Sequence, residues 1–141
     1  MKMVRLILAA AFVSALAIAP AMAQKAEDAF GVWEHPDNGS HIRISKCGGG
    51  LCAKIIKVED PSRTDVKNPN PAKRKRPIVG ITIMSGAKKS GEATWSGKLY
   101  NTLDGETYNG TVTVLSKKKL KLQGCVLGGL ICQGPTWTRV N

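Results

Sequence analysis

The sequence is poor in aromatic and histidine side chains and has few acidic residues. Only 5% of its 141 residues are aromatic, two are histidines, and ten Asp and Glu stand against 21 Lys and Arg. Neither a G-x-S-x-G nucleophile elbow nor a phosphate-binding P-loop occurs in it. These absences argue against common hydrolase and nucleotide-dependent classes, so the sequence predicts neither an enzyme nor a cofactor.

The two histidines offer the best candidates for acid–base or metal chemistry. His35 and His41 flank a predicted turn that contains Asp37. Histidine is the side chain whose ordinary pKa lies near neutrality, but the H-E-x-x-H spacing of zinc enzymes is missing. We therefore expect solvated turn residues here, with a metal site as the minor alternative.

The longest apolar run lies at the N-terminus. Residues 1–23 have the layout of a secretory signal, with a basic start at Lys2 and Arg5, an apolar stretch over 6–18 and a small-residue cleavage site at Ala21-Met22-Ala23. We expect cleavage before Gln24, a single domain over 24–141, and a periplasmic or secreted protein. Loss of Lys2 and Arg5 leaves +9 of the formal charge of +11.

That positive charge favours anionic partners such as a membrane surface, an acidic glycan or an anionic small molecule. Nucleic acid is not an expected partner for an exported protein. The alternative is that the charge only keeps the surface soluble.

Four cysteines form two closely spaced pairs, Cys47 with Cys52 and Cys125 with Cys132. In an exported protein such pairs favour disulfides, and each pair flanks a glycine-rich turn. Two hairpin disulfides are the simplest pairing, each worth roughly 2–2.5 kcal/mol in the chain-entropy model. A zinc site built from all four thiolates is the alternative, although neither spacing matches a C-x2-C knuckle.

Period-2 alternation of apolar and polar residues dominates the chain after the signal. It predicts eight short strands, over 31–34, 41–46, 52–58, 78–84, 93–101, 106–115, 119–124 and 136–140. Turn-forming residues separate these runs, including a predicted turn at Ser85-Gly86. The pattern favours an all-β, eight-stranded antiparallel up-and-down barrel.

One connection is too long for a tight turn. Residues 59–77 contain four prolines and the run Lys73-Arg74-Lys75-Arg76. Long loops in compact domains are usually functional or disordered. Strand parity places this loop at one end of the barrel, where a ligand would enter. Asp60, Asp65 and Asn68 could offer oxygens to calcium there, or they could satisfy the loop internally, with Asp65 pairing Arg74 or Arg76.

The other end of the barrel is predicted to be plugged. Trp33, near the start of the first strand, can approach Arg139, near the end of the last, and an arginine over a tryptophan face is a favourable contact. Gly31-Val32-Trp33 with a terminal arginine resembles the lipocalin and fatty-acid-binding (calycin) arrangement. The structural residues are therefore Gly31, Trp33 and Arg139.

The whole predicted domain resembles the exported bacterial family called domain of unknown function 2147. The resemblance is carried by Gly31-x-Trp33, Cys47-x4-Cys52, the stretch from Asn68 to Gly80, Trp95-x-Gly97-x-x-Tyr100, Gly105-x-x-Tyr108, Gly124-Cys125 and Cys132-x4-Trp137-x-Arg139. It implies a lipocalin-like barrel and brings no established reaction or ligand. Asn70 and Lys75 make the long loop more basic than the family pattern.

The leading functional hypothesis is an exported protein that binds a small, partly apolar and anionic ligand. The predicted ligand-binding residues are Arg74, Lys75 and Arg76 for the head group, with Trp95 and Tyr100 in the barrel. Ordinary barrel core is the alternative reading of Trp95. The alternative function is a non-enzymatic envelope module whose filled barrel contacts membrane or acidic glycan through its basic surface.

Overall fold

The computed structural model describes residues 12–19 and 23–141. The predicted signal therefore lies largely outside the described residues, and its cleavage stays a prediction. Within 12–19, the apolar side chains are 88–97% exposed, as seen at Phe12, Val13, Leu16 and Ile18. No helix in the described part of the chain is long and apolar enough to cross a membrane.

The described residues form an all-β structure with three short 3-10 helices. The strands are β1 (Gly31–Glu34), β2 (His41–Cys47), β3 (Gly50–Lys57), β4 (Thr82–Gly91), β5 (Thr94–Tyr100), β6 (Thr107–Ser116), β7 (Lys119–Val126), β8 (Ile131–Gln133) and β9 (Thr136–Arg139). The helices are Ala26–Ala29, Pro71–Lys73 and Leu127–Gly129. Apolar residues that face the core alternate with more exposed ones along most of β2, β3, β6 and β7, but not along the whole of β4.

The strands close into a barrel. Antiparallel neighbours run in the order β6-β5-β4-β3-β2-β1-β9-β7, and pairing of β6 with β7 completes the ring. β7 pairs with β9 near its start and with β8 near its end, so β8 and β9 are two halves of one broken eighth strand. The predicted eight-stranded antiparallel up-and-down barrel is confirmed.

The break in the eighth strand lies at Gly134-Pro135. A side chain at 134 would collide with the backbone carbonyl of Leu122, and proline has no N–H to continue a ladder. The sequence prediction placed this strand over 136–140 and missed β8, since a three-residue strand next to Gly-Pro has no readable alternation.

The prediction for the fourth strand was wrong. It was expected over 78–84 with a turn at Ser85-Gly86, whereas β4 runs through that point to Gly91. Gly86 has a positive φ of 67°, and the pairing of β4 with β5 shifts register between Met84 and Lys88. A glycine with positive φ occurs in β-bulges as well as in turns, so Ser85-Gly86 is compatible with both structures.

The up-and-down order gives the barrel two distinct ends. We call the end with the β2–β3, β4–β5 and β6–β7 turns the closed end. We call the other the open end; it holds the β1–β2 turn, the long β3–β4 loop, the β5–β6 turn and the β7–β8 hairpin.

The N-terminal 3-10 helix plugs the closed end. The indole N–H of Trp33 donates to the carbonyl of Ala29 at 2.8 Å, and that of Trp95 donates to Ala26 at 2.7 Å. The guanidinium of Arg139 lies over the Trp33 ring, 4.3 Å from its centroid. It also donates to the carbonyls of Phe30 and Asp28. A Cβ at Gly31 would collide with this guanidinium.

Each end carries one disulfide. Cys47–Cys52 closes the β2–β3 hairpin and Cys125–Cys132 closes the β7–β8 hairpin. The predicted local pairing is confirmed, and no cysteine in the described residues is free.

Candidate ligand cavity at the open end

A cavity of about 660 Å³ lies inside the barrel towards the open end. Its inner wall is aliphatic and aromatic because alternate residues of six strands point inward: Ile42, Ile55, Ile83, Leu99, Leu122 and Trp137. Small-molecule sites usually have volumes of roughly 300–1,000 Å³ and mostly apolar walls with a few polar groups. Both features are found here.

Polar side chains line the cavity where it meets the open end. Arg63 on the long loop is the one Lys or Arg side chain among the described residues that lines it. Across the mouth, the hydroxyl of Tyr108 donates to Asp104 at 2.7 Å. This hydrogen bond to a carboxylate raises the pKa of Tyr108 above its usual value. The mouth therefore combines a carboxylate paired with a tyrosine and an arginine that has no carboxylate within 4.0 Å among the described residues.

A buried carboxylate fixes the long loop to the barrel. Asp65 is fully buried and accepts hydrogen bonds from the Tyr100 hydroxyl at 2.7 Å, the Asn68 amide at 2.9 Å and the Arg76 guanidinium at 2.9 Å. Burial alone would raise the pKa of Asp65, but these three donors outweigh it, so the pKa is lowered. We call this group the Asp65 cluster.

The same cluster shifts the pKa of its tyrosine. Burial, and then the hydrogen bond to the Asp65 carboxylate, raise the pKa of Tyr100 to about 12. Tyr100 ends β5 and also lines the cavity. The loop, the barrel wall and the cavity therefore meet at this side chain.

The structure separates the residues predicted to bind ligand. Tyr100 lines the cavity, while Arg74, Lys75 and Arg76 are not on its lining. Arg76 belongs to the Asp65 cluster, and the Arg74 side chain donates to the carbonyl of Asn68 at 2.7 Å, so both hold the loop together. Trp95 lies at the closed end, where its ring contacts Phe30.

Most of the cavity lining was not predicted from the sequence, and Arg63 and Trp137 are two of the residues missed. Arg63 stands outside the conspicuous basic run, and no sequence signal marks it. Trp137 does have a signal, because it lies two residues before Arg139 on one strand and so shares the inward face. Its indole N–H has no hydrogen-bond partner in the described residues, and the ring of His35 packs edge-on against it at 4.9 Å.

The candidate metal-binding side chains do not converge. His41 pairs with Glu34 at 2.8 Å, while Nδ1 of His35 accepts from the backbone N–H of Asp37. Asp60 accepts from Ser62, away from the Asp65 cluster. Within residues 12–19 and 23–141, no group of three His, Cys, Asp or Glu side chains could hold a metal ion.

A closed antiparallel barrel with an internal cavity open at one end is lipocalin-like. The chain belongs to the bacterial family described as "Uncharacterized protein conserved in bacteria (DUF2147)", which it matches over residues 31–139. This confirms the family predicted from the motifs.

A solved structure supports the same class. Protein HP1028 from Helicobacter pylori, described as belonging to the lipocalin family, is 28% identical to this chain with a TM-score of 0.68. The match covers 79% of this chain and 82% of HP1028. No curated protein matches the sequence.

Proposed function

We propose that the protein is an exported, non-enzymatic binding protein for a small amphipathic molecule. The apolar part of the ligand occupies the cavity, and its anionic or polar head lies at the mouth beside Arg63. The observation that carries this proposal is the cavity itself, with an aliphatic interior and its polar groups gathered at the mouth. The two disulfides fit an exported protein.

The cavity supports this function over the alternative of a filled barrel that uses a basic surface. The open end is also not a basic surface as a whole, because its charges balance one for one. Its basic residues are Arg63, Lys67, Lys73, Arg74, Lys75 and Arg76; its acidic residues are Asp37, Glu59, Asp60, Asp65, Asp104 and Glu106. The excess positive charge therefore lies on the barrel wall and the closed end.

The direct experiment is native mass spectrometry of protein purified from the periplasm of its own bacterium. We expect a co-purifying small molecule that is released on denaturation. In parallel, displacement of anilinonaphthalene sulfonate, a fluorescent anionic amphiphile, measures binding by the purified protein.

Two variants of adjacent β3 residues test whether binding is inside the barrel. Ile55 lines the cavity, whereas the next residue, Ile56, is half-buried and does not line it. Ile55→Phe should reduce dye affinity at least tenfold by filling the cavity, and Ile56→Phe should leave it within twofold. Equal affinities in the two variants would place dye binding on the outer surface and reject the proposal.

A further inference from the structure

An apolar surface borders the mouth of the cavity. Five large aliphatic side chains of the β5–β6 turn and the β7–β8 hairpin are exposed there: Leu103 at 65%, Val126 at 44%, Leu127 at 67%, Leu130 at 86% and Ile131 at 47%. Leu103 belongs to the β5–β6 turn and the other four to the tip of the β7–β8 hairpin. We call these five residues the apolar rim.

The two disulfide hairpins show that an exposed aliphatic tip is not required by the hairpin itself. The closed-end hairpin turns through Gly48 and Gly49 and presents no side chain there. At the open end, Leu127 adopts a positive φ of 53°, a conformation that costs a non-glycine residue roughly 1–2 kcal/mol. A leucine thus occupies a position where glycine would adopt the folded backbone conformation with less strain, and its side chain is exposed.

The apolar rim is continuous with the cavity. Leu103, Val126 and Ile131 line the cavity as well as being exposed at its mouth. A partner that covers the rim therefore faces the entrance directly. A lipid bilayer is such a partner, because its interfacial region accepts exposed aliphatic side chains.

The size of the rim argues against a second copy of the chain. The rim has five residues, whereas a standard stable interface buries roughly 800 Å² per partner and takes about 20–30 residues from each side. A narrow hairpin tip offers less, whereas an interfacial element needs to reach only about 5–10 Å into the headgroup and acyl boundary.

Lysine side chains of the long loop are available to lipid phosphate at the open end. Ion pairs among the described residues are Arg76–Asp65, Lys89–Glu27 and His41–Glu34, so the Lys67, Lys73 and Lys75 ammonium groups have no carboxylate within 4.0 Å. A Cβ at Gly105 would collide with the Lys67 carbonyl, so Lys67 lies against the turn that carries Leu103.

From these observations we infer that the apolar rim docks the open end of the barrel onto a phospholipid bilayer. The aliphatic side chains enter the interface, and the neighbouring lysines meet phosphate groups. Because the charges of the open end balance, burial of apolar side chains is the main source of affinity. This docking concerns the outside of the mouth and is independent of what the cavity holds.

Flotation with vesicles of phosphatidylglycerol and phosphatidylcholine tests the inference. Leu127→Gly combined with Leu130→Ser should reduce the vesicle partition coefficient about tenfold or more. The matched control is Leu115→Ser with Val140→Ser, two residues that are each 48% exposed and lie near the closed end; it should float like wild type. Raising the salt concentration should weaken wild-type flotation only slightly, because apolar burial is not screened.

Four results would overturn the docking. The first is that the rim and control variants float equally. The second is that wild-type flotation is lost in high salt while the rim variant has no effect, which would assign binding to the basic surface. The third is a wild-type dimer without lipid, shown by sedimentation, that the rim variant makes monomeric. Ile55→Phe should float like wild type, since the docking does not involve the cavity; its failure to float would assign vesicle binding to the cavity, a fourth result that would overturn the docking.

Discussion

The two ends of the barrel contain similar elements, but the tryptophans at each end have different hydrogen-bonding environments. Each has a disulfide hairpin and buried tryptophan, with two tryptophans at the closed end and one at the open end. At the closed end the N–H groups of Trp33 and Trp95 are satisfied by helix carbonyls. At the open end, Trp137 lines a cavity and its N–H is unpaired in the described residues. Unpaired buried donors destabilise the fold. We therefore expect the closed end to contribute more to stability than the open end, which surrounds the cavity.

The largest loss of stability is expected when the closed-end arginine is removed. Arg139→Ala deletes hydrogen bonds to the carbonyls of Phe30 and Asp28 and the contact with the Trp33 ring. Charged hydrogen bonds contribute roughly 1.5–3 kcal/mol each, so we expect a loss of about 3 kcal/mol in the free energy of unfolding. Thermal melting should show a decrease of more than about 10 °C.

Arg139→Lys serves as the control, since it keeps the charge but not the planar fork, and it should recover only part of the loss. A melting temperature for Arg139→Ala within about 2 °C of wild type would contradict a structural role for the closed end.

The two disulfides provide a matched pair of changes. Replacing Cys47 and Cys52 with serine, or Cys125 and Cys132 with serine, should each reduce stability by roughly 2 kcal/mol because the closed loops are of similar length. Only the second change should also weaken dye binding and vesicle flotation, because its hairpin borders the cavity. Dye displacement and flotation, measured well below both melting temperatures, check this; equal functional losses would show that the two ends are not independent.

A smaller effect is expected from the Asp65 cluster. Tyr100→Phe removes the hydroxyl that donates to the Asp65 carboxylate and should cost about 1–2 kcal/mol. Because the pKa of Tyr100 is raised from 10.0 to about 12, this residue stabilises the fold fully below pH 10 and loses that contribution as the pH rises to about 12. Chemical denaturation over this range should show a decline in wild type that is reduced in Tyr100→Phe.

Asp65 makes stability depend on pH in the opposite direction, with a loss at low pH. The lowered pKa of Asp65 adds stability above the ordinary carboxyl pKa of about 4, and this is lost as the pH falls through the folded value. With one donor removed, Tyr100→Phe should begin to unfold at higher pH than wild type. An identical acid transition in both proteins would argue against the cluster as the anchor of the loop.

The smallest effect concerns the basic residues of the long loop. Lys73→Gln with Lys75→Gln should shift the melting temperature by no more than about 2 °C and dye affinity by about twofold or less at low salt. Both lysines are exposed and have no carboxylate within 4.0 Å among the described residues. Arg63→Gln should reduce dye affinity about fivefold, since Arg63 lines the cavity. A larger loss of dye affinity in Lys73→Gln with Lys75→Gln than in Arg63→Gln would instead assign the head-group site to the basic run Lys73-Arg74-Lys75-Arg76.

Much of the fold could be predicted because its signals are local. Alternation in β2 and β6, the cysteine pairs and the approach of Trp33 to Arg139 all follow from strand parity. The site was less predictable because it depends on contacts distant in sequence. Arg76 looks like part of a solvated run until Asp65, eleven residues away, is found to pair with it, and Arg63 is recognised only once the loop path is known.

The break at Gly134-Pro135 makes the open-end hairpin a module. β9 closes the barrel against β1, while β8 pairs with β7 alone. Hairpin length and tip sequence can therefore change without disturbing barrel closure. An engineered tip of different length or sequence should therefore leave the ladders of β9 with β1 and β7 in place.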